Sequence, residues 1–582
     1  MAEPPVGPSS EASTPAPLTD TLRTSPRTPT NGQPIAEPRA PTDSAESAGS
    51  GETTTTDASS VAAKATNSRL LRSSAVVSIG TLSSRVTGLL RTVVAAAVLG
   101  ATTGLADAFN LANTLPNLLF DLLAGGVLAA TVVPAFTEAR ARRDRAATEA
   151  IVSVLGVSLM ALTGVAMVFA PLAVAFFDLD DRSRRLTLFL SLVFLPQIFF
   201  YGITTILSGL LNSFGRFAAA ALAPVVTNII AIATLVVFGL RATNPSDALI
   251  DTDVASVLLL SIGTTLSVAA MSFALLPAVR GLRLRLRWRF DLHHPAVRRV
   301  TRLSGWMFGY VAINQAALWL ILRLAHDVGS GPLTYYLYAY QFFQLPYGVL
   351  AAAVMTAFLP ELTALVQSGD RIAFGDRFLQ GLRLTLVLIL PATAAFLVLA
   401  TPLVSVLLER GAFSAIDAAT TGEVLSAFAI GLPGFCLYLL AMRGFYAHAN
   451  TRVPFLINAG QTALQVGLCG LLVGPLGVRG LALGFALAYI VGAGFALFWL
   501  DRYAGGLPWG DSVRSIAAIS AAAGAALMVM IPVDQWIGAD HGWGALARVG
   551  VAGALGGFTF LGVARTLRIP ELTHLETLLA RR

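Results

Sequence analysis

The chain has 582 residues, 55% of them hydrophobic and 13% charged, with a mean hydropathy of +0.70. Soluble proteins devote about a quarter of their residues to charge, so these values exclude an ordinary soluble chain and point to an integral membrane protein. The net charge of +7 rests on arginines placed mainly between apolar runs, Lys64 being the sole lysine, which reads as membrane topology and not as nucleic-acid binding.

Residues 1–70 come first, rich in Pro, Ser, Thr and Ala without apolar periodicity, and predict a disordered tail. The tail lacks the apolar h-region of a signal peptide. Fourteen apolar stretches of about 20 residues follow, the length a bilayer core requires. They lie near 74–99, 105–136, 150–177, 184–211, 217–240, 253–279, 303–324, 332–364, 379–408, 422–448, 454–473, 480–501, 512–532 and 545–565. The expected fold is therefore all-α and integral to the membrane, with about 14 transmembrane helices.

Arginines alternate in density between these stretches. The even-numbered gaps hold 20, including Arg140, Arg142, Arg143 and Arg145 and the run from Arg280 to Arg302, against 8 in the odd-numbered gaps. The positive-inside rule then places both termini in the cytoplasm. The segment GLRLRLRWRF at 281–290 alternates Arg with apolar residues and reads as lying at the inner headgroup surface, either as a topology determinant or as an anionic-lipid contact.

The first two spans carry unusual polar groups. Ser84, Gly88 and Arg91 share a face of span one, with Arg85 about 120° round the helix. In span two Asp107, Asn110, Thr114, Asn117 and Asp121 are spaced 3, 4, 3 and 4 apart and form one stripe. Carboxylates, amides and guanidiniums are costly in hydrocarbon, so they should face protein or a wet cavity. Guanidinium forks suit phosphate, and Arg85 and Arg91 read as holding an anionic diphosphate headgroup, converging if the helix bends at Gly88. The competing reading pairs Arg85 with Asp107 or Asp121 as structure alone. Gln341 and Gln344 in span eight, Arg323 near the end of span seven and Arg443 in span ten are further candidates for lining a cavity, with helix–helix glue as the alternative.

No Walker A, H-E-x-x-H, C-x-x-C or G-x-S-x-G motif occurs, which favours transport over catalysis with no cofactor. Cys436 and Cys469 fall inside apolar spans as packing residues, and His293 and His294 lack partners at metal-ligand spacing, so no metal is assigned. A weak internal repeat pairs Gly126–Ala130 with Gly348–Ala352 and residues 209–217 with 444–454, about six spans apart each time. An offset of six spans predicts two six-helix lobes of the same orientation, related by a pseudo-twofold along the membrane normal. The expected division is a tail at 1–70, an N-terminal lobe at 71–280, a basic loop at 281–302, a C-terminal lobe at 303–502, and two more helices with a short tail at 503–582.

The strings SRVTGLLR at 84–91 and ADAFNLANTLPNLLFDLLAGGVLAATVVPAF at 106–136 resemble the MurJ (MviN) family of lipid II flippases, within the multidrug/oligosaccharidyl-lipid/polysaccharide exporter superfamily. GLLNSFGRFAAAALAPVVTN at 209–228, QLPYGVLAAAVMTAFLP at 344–360, LLERGAFSAIDA at 407–418 and RGFYAHANTRVP at 443–454 extend the resemblance across most of 71–502. It implies a two-lobed cavity that carries the undecaprenyl-diphosphate-linked peptidoglycan precursor across the bacterial plasma membrane by alternating access. It also implies substrate-binding roles for Ser84, Arg85, Arg91, Asp107, Pro116 and Asn117, and cell-wall synthesis proteins as partners.

The sequence departs from the family pattern at several positions. Phe120, Asp121 and Gly125 stand where two arginines and a glutamate are frequent, Gln341 replaces an arginine of the eighth helix, and Thr92 replaces an acid. The family's sodium site does not carry over, since Asn450 stands where an acid is frequent, so coupling to the membrane potential or to a monovalent cation is left open. The alternatives are a cation-coupled drug or metabolite antiporter of the same superfamily and a non-transporting scaffold for wall synthesis.

Overall fold

The computed structural model describes residues 80–122, 129–242, 245–284, 287–329, 331–538 and 542–572, with backbone alone at 120–122, 129–133, 296 and 299–308. The tail expected at 1–70, the Asp121 side chain and the Gly126–Ala130 half of the repeat lie outside the described parts. Among the described residues there is no strand.

The helices run α1 (Gly80–Leu99), α2 (Gly104–Leu122), α3 (Ala129–Ala141), α4 (Arg145–Ala175), α5 (Asp181–Phe194), α6 (Gln197–Ser213), α7 (Phe217–Arg241), the single turn α8 (Leu249–Thr252) and α9 (Val254–Arg280). They continue as α10 (Pro295–Asp327), α11 (Pro332–Pro346), α12 (Ala352–Ser368), α13 (Arg371–Leu408), α14 (Ala415–Ile430), α15 (Leu432–Ala447), α16 (Arg452–Leu476), α17 (Val478–Ala504), α18 (Trp509–Ile537), α19 (Gly542–Ala547) and α20 (Gly553–Thr566). Among the described residues, eleven segments are long and apolar enough to cross a membrane, twelve if α14 and α15, bent by 46° at Gly431, count as one. Taking α2 with α3 as one crossing and adding the 33-residue α10 is compatible with the fourteen spans expected.

Helix starts follow from local chemistry. Asp144, Asp180, Asp253 and Asp370 each accept a backbone N–H in the first turn of α4, α5, α9 and α13, and Ser414 with Asp417 closes a capping box on α14. These caps satisfy donors that a helix end otherwise leaves bare where it emerges from the apolar layer. Breaks follow from sequence too: Pro196 separates α5 from α6, and a π-helical turn at Tyr347–Ala351 follows Pro346 between α11 and α12.

Helix packing sorts into two groups. In the first, α2 packs on α5 and α6, α4 on α6, and α9 on α6 and α7. In the second, α11 packs on α14 and α17, α13 on α12, α14 and α15, and α17 on α14, α15 and α16. Helix α10 touches both, meeting α2, α3 and α4 on one side and α11 and α16 on the other. Helices α18 and α20 pack on each other and on α13. The second group has an aromatic centre in which Phe343, Phe428, Phe435 and Phe485 meet at centroid distances of 5.2–5.9 Å.

Large apolar side chains also point outward, among them Leu172, Leu240, Met528 and Phe558, as lipid contact requires. Trp536 and Trp543, at adjacent helix ends, are more than four-fifths exposed, in the manner of an interfacial aromatic belt. For reference, the far end of the bundle is where α1 stops, and the near end is where it starts. Loops 100–104, 327–332 and 409–415 gather at the far end, and the basic segment at the near end rests on α4, where the Arg287 and Arg289 N–H groups donate to Glu149 and Ser153.

Candidate functional site

Helix α1 is seated on α7. Asn228 Nδ2 donates to the Ser84 carbonyl at 3.1 Å and to Thr87 Oγ1 at 3.0 Å. That seat fixes the rotation of α1 and turns Arg85 and Arg91 inward. Neither guanidinium forms an ion pair or hydrogen bond with a described residue, although both are half-buried. The convergence expected at Gly88 does not occur. α1 continues as a helix through Gly88, and the two arginines line different cavities, one on each side of Gln341.

The Arg85 cavity has a volume of about 360 Å³ and is walled by Gly88, Leu89, Tyr340, Gln341, Gln344 and Leu345. The guanidinium lies across the backbone of Gly348, where an added Cβ would overlap Nη1. A glycine inside the π-helical turn therefore makes room for the cation. The Tyr347 hydroxyl lies within electrostatic range of both Arg443 and Arg85, which places Arg443, set among Tyr310, Tyr347 and Tyr446, beside this region. Arg323 is directed elsewhere: it pairs with Asp327 one turn along α10.

The Arg91 cavity, about 260 Å³, lies between α1, α2, α6, α7, α9 and α11. Asn110, Thr114 and Asn117 of the predicted stripe line it together with Asn113, with Gln197, Thr227 and Gln341 opposite. Among the described residues, neither cavity is lined by a carboxylate. Between them Thr92 Oγ1 donates to Gln341 Oε1 at 2.9 Å. Pro116 is buried within α2 and does not border either space, and Ser84 acts through its carbonyl.

Asp107 corrects the expectation that the stripe pairs with the arginines or lines the cavity as a whole. Its carboxylate accepts the Gly331 N–H at 2.9 Å and the Thr334 hydroxyl at 2.7 Å, at the start of α11. A helix N-terminus supplies free N–H groups and a favourable dipole, so the anion finds its partner there. Gly331 holds φ +99 to present that N–H, a conformation glycine adopts without strain. Asn110 Nδ2 donates to the same Thr334 hydroxyl, and the Ala412 N–H donates to the Ala97 carbonyl. Together these bonds latch the two helix groups at the far end.

The family profile described as lipid II flippase MurJ matches residues 95–543. The chain belongs to the MurJ family. Among similar MurJ-family proteins, a probable lipid II flippase of Rhizobium meliloti is 30% identical over 481 residues, covering 79% of this chain and 87% of that protein. The corresponding protein of Rickettsia prowazekii is 27% identical over 430 residues, covering 72% and 81%.

A lipid II flippase MurJ structure in an inward closed conformation matches with a TM-score of 0.69 at 22% identity, covering 84% of this chain and 98% of that one. An inward-facing multidrug resistance MATE family transporter of the MOP superfamily matches at 0.58 and 16%, covering 72% and 94%. These two likenesses establish the shared helical fold. The family consists of transporters, and the chain is a multi-pass protein of the bacterial inner membrane.

Two departures from the MurJ pattern, Thr92 and Gln341, touch each other. Sequence reasoning missed Gly348, Tyr347, Asn228, Gln197 and Thr227. Gly348 carried a signal as the first residue of the repeat at 348–352, and Tyr347, Thr227 and Asn228 lie within strings that resemble the family without being singled out. Gln197 and Thr227 are ordinary polar residues of apolar helices until their neighbours are known.

Proposed function

We propose that this chain translocates lipid II, the undecaprenyl-diphosphate-linked peptidoglycan precursor, from the inner to the outer leaflet by alternating access. The observation that carries the reading is the pair of inward-facing guanidiniums, Arg85 and Arg91, in adjacent cavities whose described linings hold no carboxylate. Buried cations need an anion, and a diphosphate supplies one with geometry matched to the guanidinium fork. Two guanidiniums facing these cavities argue against cationic cargo.

With the arginine-rich near end in the cytoplasm, the far-end latch faces outward, so the latched form is the one closed to the periplasm. Opening would require Asp107 to release Gly331 and Thr334 while the two helix groups rock about α10. An anionic headgroup moving outward runs down the membrane potential, a gain of about 2.3 kcal/mol per charge per 100 mV, which makes the potential a sufficient drive without a bound cation. The test is translocation of fluorescent lipid II in proteoliposomes, with and without an imposed potential. The Arg85→Ala and Arg91→Ala variants are expected to lose transport while remaining folded; wild-type rates in both would overturn the reading.

A further inference from the structure

Two of the residues at the Arg91 cavity are buried and polar. Gln197 and Thr227 both line it, are 0% and 5% exposed, and carry an Oε1 and an Oγ1 without a hydrogen-bond partner among the described residues. Thr227 differs from Thr234 one helical stretch later, whose hydroxyl donates back to the Ile230 carbonyl.

The orientation of the Gln197 amide is fixed by its surroundings. The Thr265 hydroxyl donates to the Val193 carbonyl at 2.7 Å, so it can only accept from Gln197, and the amide nitrogen must be the group facing it at 3.3 Å. The carbonyl oxygen is thereby left as an acceptor without a donor. Buried polar groups are normally satisfied, and a space of about 260 Å³ is far more than the roughly 30 Å³ one water takes up.

The occupant this lining fits offers both O–H or N–H donors and acceptors, and carries no positive charge. A sugar ring bearing hydroxyls and an amide has that chemistry. The position agrees: Gln341 borders both cavities, so whatever fills the Arg91 side lies one side chain away from a phosphate held by Arg85. In a polyprenyl-diphosphate glycolipid the first sugar is bonded directly to the diphosphate.

Resting on the proposed flippase reading, we infer that the Arg91 cavity is a saccharide subsite for the phosphate-linked amino sugar. Gln197 Oε1 accepts a hydrogen bond from the sugar, the Thr227 hydroxyl bonds it beside Gln197, and Arg91 faces the phosphate nearest the ring. Recognition of the sugar is then separable from recognition of the diphosphate.

The test compares binding of undecaprenyl diphosphate with that of the same lipid carrying one amino sugar and its peptide, using the purified full-length protein in nanodiscs. The wild type is expected to prefer the glycosylated lipid by about tenfold or more. Gln197→Leu and Thr227→Val are expected to cut that preference about fivefold and leave undecaprenyl diphosphate binding unchanged, while Thr227→Ser retains it. Should Gln197→Leu fail to fold, the Thr227→Val and Thr227→Ser pair decides the question.

A preference unaltered in Thr227→Val, or both lipids weakened equally, overturns the inference and leaves a merely hydrated cavity. Arg85→Ala separates the two claims. If it weakens both lipids, the flippase reading stands whatever becomes of the subsite; if neither it nor Arg91→Ala weakens either lipid, the flippase reading itself is lost.

Discussion

Asp107 on α2 accepts the hydroxyl of Thr334 on α11 at 2.7 Å, joining the two helix groups at the far end of the bundle. The same carboxylate holds the Gly331 N–H, so one side chain closes two bonds across the seam. Hydrogen bonds to a charged group contribute about 1.5–3 kcal/mol each, enough to shift a two-state equilibrium roughly tenfold or more.

Asp107→Ala is therefore expected to favour the form open at the far end. A reporter cysteine at Leu333, which is buried at the seam, should then react faster with a membrane-impermeant maleimide than it does in the parent. Cys436 and Cys469 are buried and free, which keeps the background low. Asp107→Asn keeps one acceptor and should have a smaller effect. Equal labelling in all three proteins would rule the latch out.

Gly348 gives a test of the Arg85 seat that spares the guanidinium itself. Gly348→Ala places a Cβ where Arg85 Nη1 now lies, and the long side chain can swing away without disturbing the fold. Thermal stability should stay within about 1 kcal/mol, since the substitution also favours the helix. Lipid binding should fall toward the level of Arg85→Ala. Unchanged binding would mean that the observed position of Arg85 has no bearing on cargo.

The Thr92–Gln341 hydrogen bond spans α1 and α11 between the two cavities. A double-mutant cycle with Thr92→Val and Gln341→Leu should give a coupling of about 0.5–1.5 kcal/mol in thermal or denaturant unfolding. A coupling near zero would show that the two side chains act independently.

At the far end of α18, Asp534 and Arg548 form a two-pronged ion pair at 2.7 Å, each side chain only 11% exposed. Truncating Arg548 to Ala leaves a carboxylate unpaired in an apolar setting and should destabilise the protein by roughly 3–5 kcal/mol. Replacing both partners with apolar residues should cost much less. Calorimetry of the detergent-solubilised variants distinguishes the two outcomes.

Much of the architecture was legible in the sequence because each cue is local. Runs of apolar residues of bilayer length mark spans. The bend between α14 and α15 has Gly431 and Pro433 at it, and the cations of α1 are too costly in lipid to be accidental. From such cues the all-helical membrane fold can be read, along with the need of Arg85, Arg91 and the α2 stripe to turn away from lipid.

Partnership across the seam was not legible, because it depends on rotation and register between helices distant in sequence. One stripe on α2 divides: Asp107, near the helix start, reaches the N-terminus of α11 as a latch, Asn110 joins that latch through Thr334 while bordering the Arg91 cavity, and Thr114 and Asn117, deeper in, line that cavity. Arg85 and Arg91 look like a pair on a helical wheel, yet Gln341 from α11 stands between their cavities. The sequence by itself determined which groups must avoid lipid, since solvation energy belongs to the residue. Only the tertiary structure decided what each of them meets instead, since hydrogen bonds and ion pairs depend on ångström-scale positions that helix packing sets.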